Sequence, residues 1–174
     1  MDYEFTLKFR LPASEADTDA VIERLGEAGC TDALVGVGLP GRVALSFTRS
    51  AKSAKAAVRS ALKDVRRAVP GAELIEAGPD FVGVSDVAEL TGVTRQNVRK
   101  LIVKNAKEFP LAVHDGSASV WHLAEVLKWL KAQRARTIDP ALIEVAEVAM
   151  NLNITRQAKL LSPQLHKEFE TLVS

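Results

Sequence analysis

One stretch constrains this chain more than any other. It runs Val84-Ser-Asp-Val-Ala-Glu-Leu-Thr-Gly-Val-Thr-Arg-Gln-Asn-Val-Arg-Lys-Leu-Ile102. Val87, Ala88 and Leu90 mark the inner side of a short helix that Ser85 can cap, and Gly92 follows four residues after Ala88. Glycine there supplies the positive φ of a tight interhelix turn, because it has no Cβ to clash. Ala88 is small where two helix backbones must approach, and Val93 fills the angle between them. Thr94 caps a second helix whose inner face is Val98, Leu101 and Ile102 at helical spacing. Arg95, Gln96, Asn97, Arg99 and Lys100 are left outside. These side chains carry the groups that read nucleic acid: arginine to guanine, asparagine or glutamine to adenine, lysine to phosphate. An ordinary helical hairpin with a solvated polar face has the same spacing, so the two helices alone do not decide.

The residues that follow add weight. Phe109-Pro110 ends the second helix, Leu111 to Val113 reads as a short apolar strand, and His114-Asp115-Gly116 reads as a turn. Ser117 to Val120 returns. Trp121 then opens an amphipathic helix with Leu123, Val126, Leu127 and Leu130 inside. The order of Phe109, Pro110, Gly116, Trp121, Glu125, Val126, Trp129 and Leu130 resembles the winged-helix DNA-binding domains of the MerR and phage-excisionase type. The resemblance covers a quarter to a third of the chain. It implies DNA binding through the second helix and the wing, and it fits a transcription regulator, an excisionase or a phage DNA-packaging subunit alike. The expected DNA contacts are Ser85, Thr94, Arg95, Gln96, Asn97, Arg99, Lys100 and Lys104 from the helices, with His114, Ser117 and Ser119 from the wing.

Charge is distributed accordingly. The net charge of the 174 residues is only +1, which argues against a general polyanion binder. Residues 81–137, however, carry 9 basic and 5 acidic side chains, against 11 and 12 in residues 1–80 and 3 and 5 in residues 138–174. The positive section coincides with the helix-turn-helix, as phosphate binding requires.

The first 78 residues read as a separate unit. Tyr3, Phe5, Leu7, Phe9 and Leu11 alternate with Glu4, Thr6, Lys8 and Arg10, the pattern of a half-buried strand. A helix over Asp17–Ala28 turns Ala20, Val21, Leu25 and Ala28 inward and stops at Gly29. Ala33–Val37 and Arg42–Thr48 are strands, the second with Val43, Leu45 and Phe47 inward. Ser50–Val69 is a long helix with Ala54, Val58, Ala61, Leu62, Val65 and Val69 on one stripe, and Glu73–Ala77 is the last strand. The order β-α-β-β-α-β is the ferredoxin-like arrangement, with two helices on one face of an antiparallel sheet. Gly78-Pro79-Asp80 is the linker.

Several other functions are weighed and set aside. Gly36-Val37-Gly38-Leu39-Pro40-Gly41 matches a dinucleotide-binding fingerprint, but a strand follows where a helix N-terminus is needed, so a hairpin turn is favoured. The open sheet face carries Glu4, Thr6, Lys8, Arg10, Arg42, Ala44, Ser46 and Thr48, with no aromatic ring to stack an RNA base. That polar face could pair with a second copy or another protein. The basic stripe Lys52, Lys55, Arg59, Lys63 and Arg66 reads as a solvated face rather than an auxiliary phosphate contact. The three histidines, His114, His122 and His166, have no metal-ligand spacing. No serine or cysteine sits in a nucleophile elbow, so neither metal, cofactor nor enzymatic activity is expected. His114 and His122 fall in the wing turn and wing helix, where a surface role or a phosphate contact is the ordinary reading. The lone Cys30 reads as a small buried hydrophobe.

The C-terminal segment, residues 138–174, follows a basic run of Lys131, Arg134 and Arg136. Asp139-Pro140 starts a helix in which Leu142, Ile143, Val145, Ala146, Val148, Ala149 and Met150 leave hardly any polar side. Such a helix must be buried on more than one side, either in a dimer interface or against the chain's own wing domain or sheet. Ser162-Pro163 begins a last helix with Leu165, Phe169 and Leu172 inward. The chain lacks a signal sequence and any apolar run near the roughly 20 residues of a membrane helix, so a cytoplasmic protein is expected. The expected fold is α+β: a ferredoxin-like domain at 1–78, a winged helix-turn-helix at 81–136, then C-terminal helices. The expected function is sequence-specific double-stranded DNA binding as a homodimeric bacterial or phage-type regulator. The N-terminal domain would dimerise, bind a protein partner or sense a ligand. The rival is an adaptor or antitoxin-like partner that uses the wing fold to bind protein.

Overall fold

Alternation of large apolar and polar side chains makes Asp2–Arg10 a strand, β1, with Tyr3, Phe5, Leu7 and Phe9 buried. The computed structural model describes residues 1–15, 17–133 and 137–173. Helix α1 (Thr18–Glu27) follows, then β2 (Ala33–Gly36), β3 (Arg42–Ser50), α2 (Ala54–Ala68) and β4 (Glu73–Gly78). The strands form one sheet in the order β2-β3-β1-β4, with every neighbouring pair antiparallel. Register places Phe5 opposite Phe47, Leu7 opposite Leu45 and Phe9 opposite Val43. The Phe5 and Phe47 rings stack at 5.1 Å. The two glycine-rich ends of the β2–β3 connection lie in a hairpin loop closed by Arg42 N–H donating to the Leu39 carbonyl, and β3 rather than a helix follows.

Two details differ from the periodicity reading. Ala20 is exposed, because the inward stripe of α1 runs through Val21 and Leu25. Helix α2 starts at Ala54, because β3 continues to Ser50 and Ser53 then caps the helix, accepting from Ala56 N–H at 3.2 Å. The longer β3 carries Arg49 inward, in phase with Val43, Leu45 and Phe47. Its guanidinium meets both Asp32 oxygens (2.7 and 2.9 Å), Asp64 Oδ2 (2.7 Å), Ser60 Oγ (3.0 Å) and the Gly29 carbonyl (3.0 Å). A buried charge held this completely is tolerated, whereas removing one partner of such a pair typically costs about 3–5 kcal/mol.

After the cis Gly78-Pro79 turn the chain builds a second layer. It comprises β5 (Phe81–Val82), α3 (Val84–Thr91), α4 (Arg95–Lys104), β6 (His114–Asp115), β7 (Ser119–His122) and α5 (Leu123–Ala132). The three strands pair in the order β5-β7-β6. This moves several boundaries. Trp121 does not open the helix: it lies in β7 opposite Val82, because β5 extends the pairing, and α5 starts two residues later. Leu111–Val113 is not a strand, and His114-Asp115 is strand rather than turn. The hairpin register puts His114 opposite Val120 and Asp115 opposite Ser119, leaving 116–118 as the tip. Leu123, Val126, Leu127 and Leu130 are buried, as the amphipathic spacing requires.

Helix α6 (Pro140–Ala158) packs against β1, β4, α2 and α5. Ala141, Val145 and Ala149 complete the core of the first sheet, while Ala146, Leu142, Ile143 and Met150 face the core of the second. The helix is apolar nearly all round because it is shared between two cores of its own chain. Its buried residues are therefore not free to form a dimer interface. The polar Asn153, fully buried, gives both its amide groups to the edge of β4: Ala77 N–H donates to Oδ1 and Nδ2 donates to the Ala77 carbonyl, each at 2.8 Å. Nδ2 also donates to Asp80 Oδ2 at 2.7 Å. Asp80 in turn holds His122 Nδ1 at 2.7 Å and accepts from Leu123 N–H through its carbonyl. Helix α7 (Pro163–Glu170) buries nothing: Leu165, Phe169 and Leu172 are exposed rather than inward, since no other element among the described residues covers them. Arg134 and Arg136 lie outside the described residues. No helix among those described is long and apolar enough to cross a membrane.

Candidate nucleic-acid interface

The local sequence fixes the angle between α3 and α4. Ser85 is not the cap of α3; it is exposed in the first turn, and Gly83 is the capping residue. Asp86 reaches back to accept from Gly83 N–H at 2.7 Å, the half of a capping box that needs no hydroxyl. At the other end Gly92 takes the left-handed conformation, φ 64° and ψ 27°. Val93 N–H then donates to the Ala88 carbonyl at 3.0 Å, closing the turn. Thr94 Oγ1 accepts from Asn97 N–H at 3.3 Å and starts α4. Val87, Ala88 and Val98 are buried between the helices, with Leu101 and Ile102 half-buried, whereas Leu90 turns out to be exposed.

The outer face of α4 presents Arg95, Gln96, Arg99 and Lys100, all exposed, with Asn97 and Lys104 on one flank. Among the described residues none of Arg95, Arg99, Lys100 and Lys104 has an ion-pair partner. Four cations without an ion-pair partner among the described residues are available to an external anion. Arg95 and Gln96 stand in the first turn of α4, and a helix N-terminus attracts anions.

The hairpin stands on the opposite flank. A groove between it and α4 is lined by Arg99, Ile102, Val103, Leu111, Asp115 and Ser119. The structure thus brings Arg99 and Ser119 to one groove, while Ser85 sits apart on α3. Ser119 Oγ donates to Asp115 Oδ1 at 2.6 Å, which ties the hairpin strands but engages the hydroxyl hydrogen. Ser117 is exposed at the tip. His114 is exposed and its ring lies over Gly116, where a Cβ would fall 2.5 Å from Nε2, so a larger residue at the tip would turn the imidazole aside. His122 is not a surface residue: it is held by Asp80 and packs on Phe81 at 5.3 Å between ring centroids. Behind the hairpin Trp121 is buried, donates through Nε1 to the Pro110 carbonyl at 3.1 Å, and meets Phe109 edge-on.

Sequence reasoning missed two exposed apolar residues that line this groove. Val103 is 77% exposed and Leu111 93%. Val103 was detectable: it lies seven residues, or two helical turns, after Gln96, and so on the outer face. No family model, curated protein or solved structure matches this chain.

Proposed function

We propose that residues 81–133 are a winged helix-turn-helix and that the protein binds double-stranded DNA with sequence preference. In this reading α4 enters the major groove and the 114–122 hairpin lies on the backbone or in the adjacent minor groove. The single observation that carries it is the outer face of α4, where Arg95, Gln96, Arg99 and Lys100 are exposed together with no ion pair among the described residues. The antiparallel order β2-β3-β1-β4 under α1 and α2 supports a ferredoxin-like reading of the first unit. The protein would act as a homodimeric regulator, or as an excisionase or packaging accessory, because one such module covers few base pairs. With α6 occupied inside the chain, the second copy would meet α7 or the open sheet face.

A second reading has its own observation. Val103 and Leu111 form an exposed apolar strip in the groove beside the same face, and such strips mark protein partners as well as thymine methyl groups. An adaptor or antitoxin-like role would use this strip. One experiment separates the two. Selection from random duplexes, followed by shift assays at two salt concentrations, should give an enriched motif. It should also give a salt slope of about −0.9 for each phosphate contacted. No enrichment and no salt dependence would leave the protein-binding reading.

A further inference from the structure

A cavity of about 280 Å³ lies under the flank of α4, between α3, α4 and α5. Val87, Val98, Val126 and Leu130 wall it, and all four are buried. Water gains little in such a hollow, which offers it few polar partners, and the lining atoms forfeit dispersion contacts while it is empty. At its lip stand Lys100 and Lys104, one helical turn apart. Both are exposed, and neither is paired with a carboxylate among the described residues. An apolar hollow with two cations at its mouth selects a ligand with an apolar tail and a single anionic head. A bare phosphate would satisfy the lysines and leave the hollow empty; an apolar cation would fill the hollow and meet repulsion at the lip. The size is near the lower end of the range for ligand pockets, about 300–1,000 Å³, which suits one unbranched chain of about eight carbons.

We propose that this cavity binds a medium-chain carboxylate, its tail among Val87, Val98, Val126 and Leu130 and its carboxylate between Lys100 and Lys104. Where the DNA-binding reading of α4 holds, the bound anion opposes DNA, since it neutralises two of the cations that would meet phosphate. That second statement rests on the proposed function; the binding itself does not.

The full chain is titrated with sodium octanoate by calorimetry, with octyltrimethylammonium as the charge-reversed control. Octanoate should bind one to one and raise Tm, and the ammonium compound should do neither. Lys100→Gln with Lys104→Gln should weaken octanoate about tenfold or more, as loss of charge-assisted contacts does. Leu101→Phe, which extends into the hollow, should abolish binding; if that variant fails to fold, the exposed lysine pair still decides. No binding by the wild type, equal affinity in the lysine variant, or equal binding of the cation would overturn the proposal. Binding that appears only after Leu165→Ser with Phe169→Ser would show the cavity filled by α7 of a second copy, and would overturn it too. On the selected duplex, octanoate should weaken binding, and an unaffected complex would overturn the antagonism. If no duplex binds at all, the DNA reading fails while the octanoate titration still stands or falls alone.

Discussion

Replacing Asn153 by alanine is the sharpest test of how the two cores are joined. The side chain is fully buried and makes three hydrogen bonds, two to the Ala77 backbone and one to Asp80 Oδ2. Alanine leaves an N–H, a carbonyl and a carboxylate oxygen without partners in the interior. Each such group costs about 1–3 kcal/mol, and a water entering the hole would recover part, so we expect a loss near 4 kcal/mol. Against a typical total of about 5–15 kcal/mol that is a large fraction. With a urea m-value of about 2 kcal/mol/M the midpoint should fall by about 2 M. The assay is urea unfolding followed in parallel by tryptophan fluorescence, which reports Trp121 and Trp129 in the second core, and by far-UV circular dichroism. Asn151→Ala is the control: that residue is exposed and its side chain donates to the Glu147 carbonyl within its own helix, so its effect should stay within about 0.5 kcal/mol. Asn153→Asp should be worse than alanine at neutral pH: it keeps the acceptor for Ala77 N–H but sets a second carboxylate against Asp80 and the Ala77 carbonyl in place of the Nδ2 donor. A loss below about 1 kcal/mol in Asn153→Ala would refute the reasoning, as would separate wild-type transitions by the two probes.

Four further outcomes are expected. Arg95→Ala should cost about 1–3 kcal/mol on the selected duplex and much less on random DNA, measured by anisotropy; equal losses would reassign Arg95 to the backbone. Trp121→Ala should destabilise by about 3–5 kcal/mol, and an unchanged melting curve would contradict its burial beneath the hairpin. Burial pushes the Cys30 thiol up to about 11, so Ellman's reagent at pH 8 should label it only after unfolding; rapid labelling of the native protein would count against this packing. The Arg49 guanidinium holds the Asp32 carboxyl below its ordinary value. The resulting stabilisation is therefore complete above the unfolded-state pKa and lost as pH falls through the lower folded-state value. Arg49→Met should lower the urea midpoint at pH 7 and flatten its fall into acid; an unaltered acid slope would contradict the assignment.

What could be read in the sequence was whatever a local period encodes. Phe5, Leu7 and Phe9 against Val43, Leu45 and Phe47 declare two half-buried strands, and Val98, Leu101 and Ile102 declare the inner side of α4. Gly92 was legible because only a positive φ turns the chain there. Arg49 was not legible, since it occupies a core phase and its partners Asp32 and Asp64 come from other elements. Strand β5 has two residues and therefore no period, and missing it displaced Trp121 into the helix. The period of α6 announced burial on several sides but not which surfaces supplied it. For α7 the stripe Leu165, Phe169 and Leu172 was readable, yet amphipathicity says only which side could be covered.

The placement of α6 also sets an order of events. Glu144 accepts from the Tyr3 hydroxyl at 3.1 Å and from Ala54 N–H at 3.2 Å, so the third residue of the chain is anchored by one 141 positions later. Asn153 meets Ala77 across a separation of 76 residues. On a ribosome adding about 5–20 residues per second, the flank of the first sheet along β1 and β4 stays uncovered for about 4–15 s after Ala77 is made. During that interval the edge of β4 exposes the same backbone groups that Asn153 later satisfies, and an open strand edge pairs with other chains. Shortening the chain before Pro140 would make that exposure permanent, so the first sheet, although encoded entirely in the first half of the chain, depends on the second half to cover its edge.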